Sequence, residues 1–185
     1  PPRSTPSNSS AASDVYKRQA IYFAGPIRSA GGTETALTPV VADYVRRLLG
    51  LDRYKPTEEE INRFVEELRL YEREIGRFQY RVSDEEVKKA LKHLPVEITG
   101  VQSNKVEVSS YRNLPRIETN CLRGGALRVV NDGIVGRAAK VLAVVEDLGI
   151  EGWEWLKEFV EAKEKGSSEE KAEEEKEENI WWTIL

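Results

Sequence analysis

The sequence predicts an α+β fold that is mostly helix: about five helices with a small antiparallel β-hairpin or sheet. Two capping boxes lead that reading. Thr57 with Glu60, and Ser83 with Glu86, each stand just before a run whose apolar residues recur at helical spacing. The reciprocal bonds of such a box satisfy free N–H groups in a helix's first turn. Glycine or proline closes three of the expected helices, at Gly50, Pro95 and Gly149. Two short β-type runs, Val96–Thr99 and Lys105–Ser109, flank the polar stretch 100–104 and supply the hairpin.

Residues 1–19 are rich in Pro, Ser and Asn without apolar periodicity, and disorder is expected. Ser9–Gln19 also resembles a translated sequencing-adapter scar, so native sequence is expected to begin near Ala20. The first helix should run from about Thr35 to Leu49, with Leu37, Val41, Tyr44, Val45 and Leu48 on its apolar stripe. Pro39 then falls within the first turn, where its missing N–H is harmless. The second helix starts at Thr57 and extends to about Phe78, with Ile61, Phe64, Val65, Leu68, Tyr71 and Ile75 inward. A short third helix turns Val87, Ala90, Leu91 and Leu94 inward.

An extended arm, Tyr111–Asn120, follows the two strand runs. Gly125–Leu148 reads as helix, weakened in its middle by Gly133 and Gly136, where a break is expected. The last helix, Gly152–Lys165, carries Trp153 as a core residue and Trp155 as a more exposed one. Residues 166–180 are almost all Glu, Lys, Ser and Ala, a composition suited to a solvated tail. The apolar end Ile180–Leu185 breaks with that composition and suggests truncated or out-of-frame sequence.

Charge is unevenly spread. The net charge is −4, but residues 161–180 hold nine Glu and four Lys, and residues 20–160 come to −1. A nearly neutral body excludes a dedicated DNA-coating protein, yet leaves room for a local basic patch. The single cysteine, Cys121, excludes a disulfide framework and a cysteine-based zinc site. A reducing, cytoplasmic setting is expected; no apolar run has the length of a membrane span. The chain has no methionine, not even at position 1, so a fragment or processed product is expected.

Two runs carry the functional signal. FAGPIRSAGGT at Phe23–Thr33 and LPRIETNCLRGGALRV at Leu114–Val129 each place arginine and a Gly-Gly pair before an amphipathic helix. Exposed N–H groups and the dipole at a helix start favour anions, and arginine forks onto phosphate or carboxylate. The candidate phosphate or nucleic-acid contacts are Arg28, Gly31, Gly32, Arg112, Arg116, Arg123, Gly124, Gly125 and Arg128. For any one arginine, pairing with a local carboxylate is the simpler reading. Gly133-Ile-Val-Gly136, followed by Arg137, has the spacing of a KH-type GXXG loop, although a four-residue match is weak and a helix containing two glycines is the simpler reading. His93 and Cys121 lack partners for metal or acid–base work in the local sequence, and no compact Asp-x-Asp cluster offers a two-metal site.

FAGPIRSAGGT at 23–33, DRYKPTEEEI at 52–61, LPRIETNCLRGGALRV at 114–129 and GWEWL at 152–156 together resemble the N-terminal region of the large subunit of archaeal family D DNA polymerase. The resemblance covers nearly all of residues 20–160; the tail from about Gly166 departs from it. It implies a replicative, DNA-directed polymerase that pairs this subunit with a small exonuclease subunit. It places the catalytic carboxylates, and the Mg and Zn sites, further along the large subunit, so no cofactor and no catalytic residue belong to this segment. The implied partners are DNA, the small subunit and the rest of the large subunit, with no membrane, in the cytoplasm at the nucleoid. Two other readings compete with it. One is a small phosphate- or nucleotide-binding enzyme with both Gly-Gly loops around one pocket. The other is an interaction module whose glycines serve close helix packing.

Overall fold

The computed structural model describes residues 18–24 and 32–166. Arg28, Gly31, the 1–17 leader and the acidic tail beyond 166 lie outside the described residues. The elements run β1 (Ala20–Phe23), α1 (Gly32–Leu48), α2 (Glu58–Glu74), α3 (Asp84–His93), β2 (Glu97–Gly100) and α4 (Gly124–Arg128). A π-helical segment (Val129–Val135), α5 (Ala138–Asp147) and a helix α6 over 156–166 complete them. The fold is α+β and mostly helical, as expected. The chain divides into two compact units, Pro1–Arg137 and Ala138–Leu185.

The sheet corrects the sequence reading. β2 pairs with β1 in parallel, from Ala20 opposite Glu97 to Phe23 opposite Gly100, and not with a hairpin partner. Strand candidate 105–109 instead meets the arm, through an antiparallel bridge between Glu107 and Cys121 and a Val108 N–H bond of 2.9 Å to the Asn120 carbonyl. The physical reason lies in burial. Every residue of β2 is buried, as in parallel strands covered on both faces, whereas a hairpin ribbon leaves one face wet. A Cβ at Gly100 would sit 2.7 Å from the Phe23 carbonyl oxygen, so the absent side chain admits the β1 backbone.

The local signals at α2 and α3 hold. Both capping boxes form, Thr57 with Glu60 and Ser83 with Glu86. α2 is shorter than expected, ending at Glu74, with the backbone N–H of Ile75 bonded to the Tyr71 carbonyl. Phe78 still joins the core because its ring stacks on Tyr71 at 4.8 Å.

α1 differs more. It begins at Gly32, so Pro39 lies two turns inside the helix and is buried there. Its buried face is Thr35, Ala36, Pro39, Val40, Ala42 and Asp43. Val41, Tyr44 and Leu48, expected inward, are 61%, 54% and 70% exposed. Small residues win that face because α1 packs on the π-helical segment: a Cβ at Gly133 would lie 3.1 Å from that of Ala36. Gly50, at φ +64, takes the left-handed turn that stops the chain after α1.

The expected break in the Gly125–Leu148 run is present, as a turn at 136–137 between the π-helical segment and α5. The Gly133–Gly136 stretch forms no KH-type loop. It lies in and at the end of the π-helical segment, with Gly133 buried. In the second unit Trp153 is buried as expected, but so is Trp155, which stacks on Trp153 at 5.8 Å and meets Phe159 edge-on. No helix among the described residues is long and apolar enough to cross a membrane.

Candidate functional site

The second Arg-Gly-Gly run is held by α2. Thr57 starts that helix, and Glu60, Arg63 and Glu67 then fall on the flank of its apolar stripe, where all three are buried. Arg63 Nε donates to Glu67 at 2.7 Å, one helical turn away, and both side chains are fully buried. The remaining guanidinium nitrogens of Arg63 donate to the carbonyls of Tyr111 at 2.7 Å and Thr119 at 2.8 Å, fixing the extended arm.

Arg123 completes this network from the opposite side. Its backbone N–H donates to Glu67 at 3.0 Å, its guanidinium forks onto the same carboxylate, and Nη1 donates to Thr99 Oγ1 at 3.0 Å on β2. The side chain is 3% exposed and lies over the Phe64 ring. Gly124 follows where a Cβ would meet Ser103 Oγ at 2.7 Å, and Gly125 is buried beside it.

Arg116 forks onto Glu60 and reaches the Lys55 carbonyl at 3.2 Å, over the Tyr54 ring. Glu60 in turn accepts the Thr57 N–H of the capping box at 2.9 Å and the Tyr54 hydroxyl at 3.2 Å. Burial, then the Glu60 charge, push the Tyr54 hydroxyl far above its ordinary pKa. Arg112 and Arg128 are nearer the surface. Arg112 donates to Glu107 at 2.8 Å and to the Val108 carbonyl. Arg128 lies against the stacked Tyr71 and Phe78 rings, 5.7 and 5.8 Å from their centroids, and reaches Asp132 and the Tyr71 hydroxyl.

The first Gly-Gly run ends in a different neighbourhood. Gly32 packs against Arg137, whose Cζ lies 3.0 Å from where a Cβ would be. Arg137 donates to Thr33 at 3.2 Å and Gln79 at 2.9 Å, with its guanidinium over the Tyr80 ring. The structure therefore gathers Arg112, Arg116, Arg123, Gly124 and Gly125 around α2 and the arm, while Gly32 stands beside Arg137 and Gly133. The cavity beside Arg123 is about 20 Å³, against roughly 300–1,000 Å³ for a small-molecule pocket. That is no nucleotide pocket.

Sequence reasoning missed Arg63, Glu67 and Asp132, and met Arg137 only as the residue after the GXXG spacing. A signal existed for the first two: Glu60, Arg63 and Glu67 recur at helical spacing beside the apolar stripe, opposite in sign to Arg116 and Arg123 where they are acidic. Asp132 had none. It accepts the N–H groups of Gln79 at 2.9 Å and Tyr80 at 3.2 Å, more than fifty residues away.

Among the described residues, two carboxylates have displaced pKa values. Burial tends to raise Glu66, but N–H and hydroxyl bonds from Ser110, Ser109 and Tyr111 outweigh it and hold the group below its ordinary value. Glu97 is raised, first by burial, with Glu60 adding repulsion and Arg18, Arg116 and Arg123 opposing. Its Oε2 lies 3.2 Å from Arg18 Nε yet outside hydrogen-bond geometry. The folded state therefore keeps the Glu97 proton to a higher pH than the unfolded chain does. On this account stability falls as pH rises from the ordinary 4.5 through the folded pKa. Glu97→Gln is expected to flatten the urea midpoint against pH above 4.5; an unchanged slope assigns the titration to another group.

Comparison with known proteins gives this scaffold a class. Over 161 residues, 86% of this chain, it is 55% identical to the DNA polymerase II large subunit of Thermococcus kodakarensis, covering 9% of that protein. It is 56% identical over 154 residues to that of Pyrococcus horikoshii, covering 83% of this chain and 11% of that protein. With the large subunit of Methanothermobacter thermautotrophicus, identity is 53% over 158 residues, 85% of this chain and 14% of that protein. The class is thus the DNA polymerase large subunit, of which the chain spans about a tenth. Residues 8–162 match the family described as DNA polymerase II large subunit DP2, N-terminal, and the chain belongs to it.

Proposed function

We propose that this chain is the N-terminal region of the large subunit of a replicative, DNA-directed polymerase of family D, acting as scaffold and adding contacts to the DNA backbone. The match over residues 8–162 carries this reading. The intact subunit works with a small exonuclease subunit, on DNA, in the cytoplasm at the nucleoid. Its nucleotidyl transfer and its Mg and Zn sites lie in other segments. Among the described residues no group of three or more His, Cys, Asp or Glu is placed to hold a metal ion.

Within this reading the nine candidate residues divide their work. Arg116, Arg123, Gly124 and Gly125 hold the arm and the start of α4 in place. Arg28 and Gly31, which precede α1 in sequence, and Gly32 at its start remain the candidate phosphate contacts, together with the partly exposed Arg112 and Arg128 once they exchange Glu107 and Asp132 for phosphate. The test is a DNA titration of the large subunit across salt concentrations, with Arg28→Ala and Arg112→Ala alongside. Each lost phosphate contact is expected to reduce the slope of log K against log salt by about 0.7–0.9, equally for all DNA sequences. Slopes unchanged in both variants remove DNA contact from this region and leave the scaffold.

A further inference from the structure

β1 pairs with β2 and with no other strand among the described residues. A two-stranded ribbon is marginal by itself, and an open strand edge offers unpaired N–H and C=O groups to any extended chain. Beside β1 runs a groove of about 730 Å³, walled by Ile21 and Tyr22 on one side and Leu37, Val41 and Val45 on the other. The outward apolar face of α1 continues it through Tyr44 and Leu48. Contiguous exposed apolar surface of this kind marks a docking site.

The charge around the groove selects the occupant. Among the described residues of its lining, Glu34 is the single charged one. The two cations on the last turn of α1, Arg46 and Arg47, are bound to the buried Asp43 at 2.9 and 2.6 Å. Among the described residues of the groove, none attracts a phosphate backbone. An apolar polypeptide fits, and there is ample further chain to supply one: the relatives of known sequence are matched over only 9–14% of their length.

We propose that the β1–α1 groove seats an extended apolar segment from a later part of the same large subunit. The segment adds a third strand to β1 and lays alternate side chains on Leu37, Val41 and Val45, the usual mode of strand addition at a sheet edge. Being part of the same polypeptide, it docks at a high effective concentration. This inference rests on the large-subunit reading above.

A photo-crosslinking benzophenone amino acid placed at Val41 of the intact large subunit tests it, since Val41 is exposed and the change leaves the core alone. The expected product is a crosslink to a peptide beyond the N-terminal region, within one polypeptide, with or without the small subunit. Adding Val45→Glu should cut its yield about tenfold or more, because a charge would then be buried without a partner. A crosslink to a second copy, to the small subunit, to DNA or to residues 1–31 or 167–185 overturns the proposal, as does no crosslink. Primer extension by the same preparation, assembled with its small subunit, reports separately on the polymerase reading: a crosslink without extension sinks that reading and keeps the docking.

Discussion

Replacing Glu67 by alanine is expected to destabilise the fold by about 3–5 kcal/mol, the usual cost of breaking a buried ion pair by removing one partner. Glu67 is the one carboxylate bonded to both Arg63 and Arg123, each side chain almost wholly buried. Without it two guanidiniums stay in the core with only carbonyl and hydroxyl partners, at Tyr111, Thr119 and Thr99. The midpoint of denaturant unfolding measures the loss. Adding Arg123→Ala to Glu67→Ala should cost less than the two single losses summed, since the second change removes a charge the first stranded. Strict additivity, or a loss under about 1 kcal/mol, would show that Arg123 is not held by this network.

That experiment also separates two meanings of one motif. An arginine before Gly-Gly looks the same in sequence whether its fork meets phosphate or carboxylate. What decides is Glu67, fifty-six residues earlier, and its burial beside Thr99. The capping boxes at Thr57 and Ser83 were legible because every atom they need lies within four residues. The partner of β2 was not. β1 is separated from it by three helices, and its four residues carry no strand signal that the sequence reading used. The face of α1 was misread for a related reason. Hydrophobic spacing finds the most apolar face, but α1 approaches the π-helical segment so closely that Ala36 and Gly133 fit where larger side chains would not. The face with greater apolar bulk was left outside, and that is where the docking groove runs.

The second large effect is expected at Gly136, and it bears on how the GXXG spacing should be understood. Gly136 has φ −59, an angle any residue adopts, so its requirement for glycine is purely spatial. A Cβ there would stand 2.5 Å from the Tyr80 ring and 2.8 Å from the Asn131 carbonyl oxygen, the acceptor of the Gly136 N–H. Gly136→Ala should therefore cost about 1–3 kcal/mol through overpacking. Removing the ring with Tyr80→Ala relieves one of the two clashes, so the double variant should be more stable than the sum of the single losses predicts, by about 0.5 kcal/mol or more. A nucleic-acid-gripping loop makes the opposite forecast: Gly136→Ala would leave the unfolding midpoint in place and weaken DNA binding. The two outcomes are read from the same variant, one by denaturation and one by titration. The close approach of Tyr80 favours the first, because the ring already occupies the side of Gly136 on which a Cβ would stand.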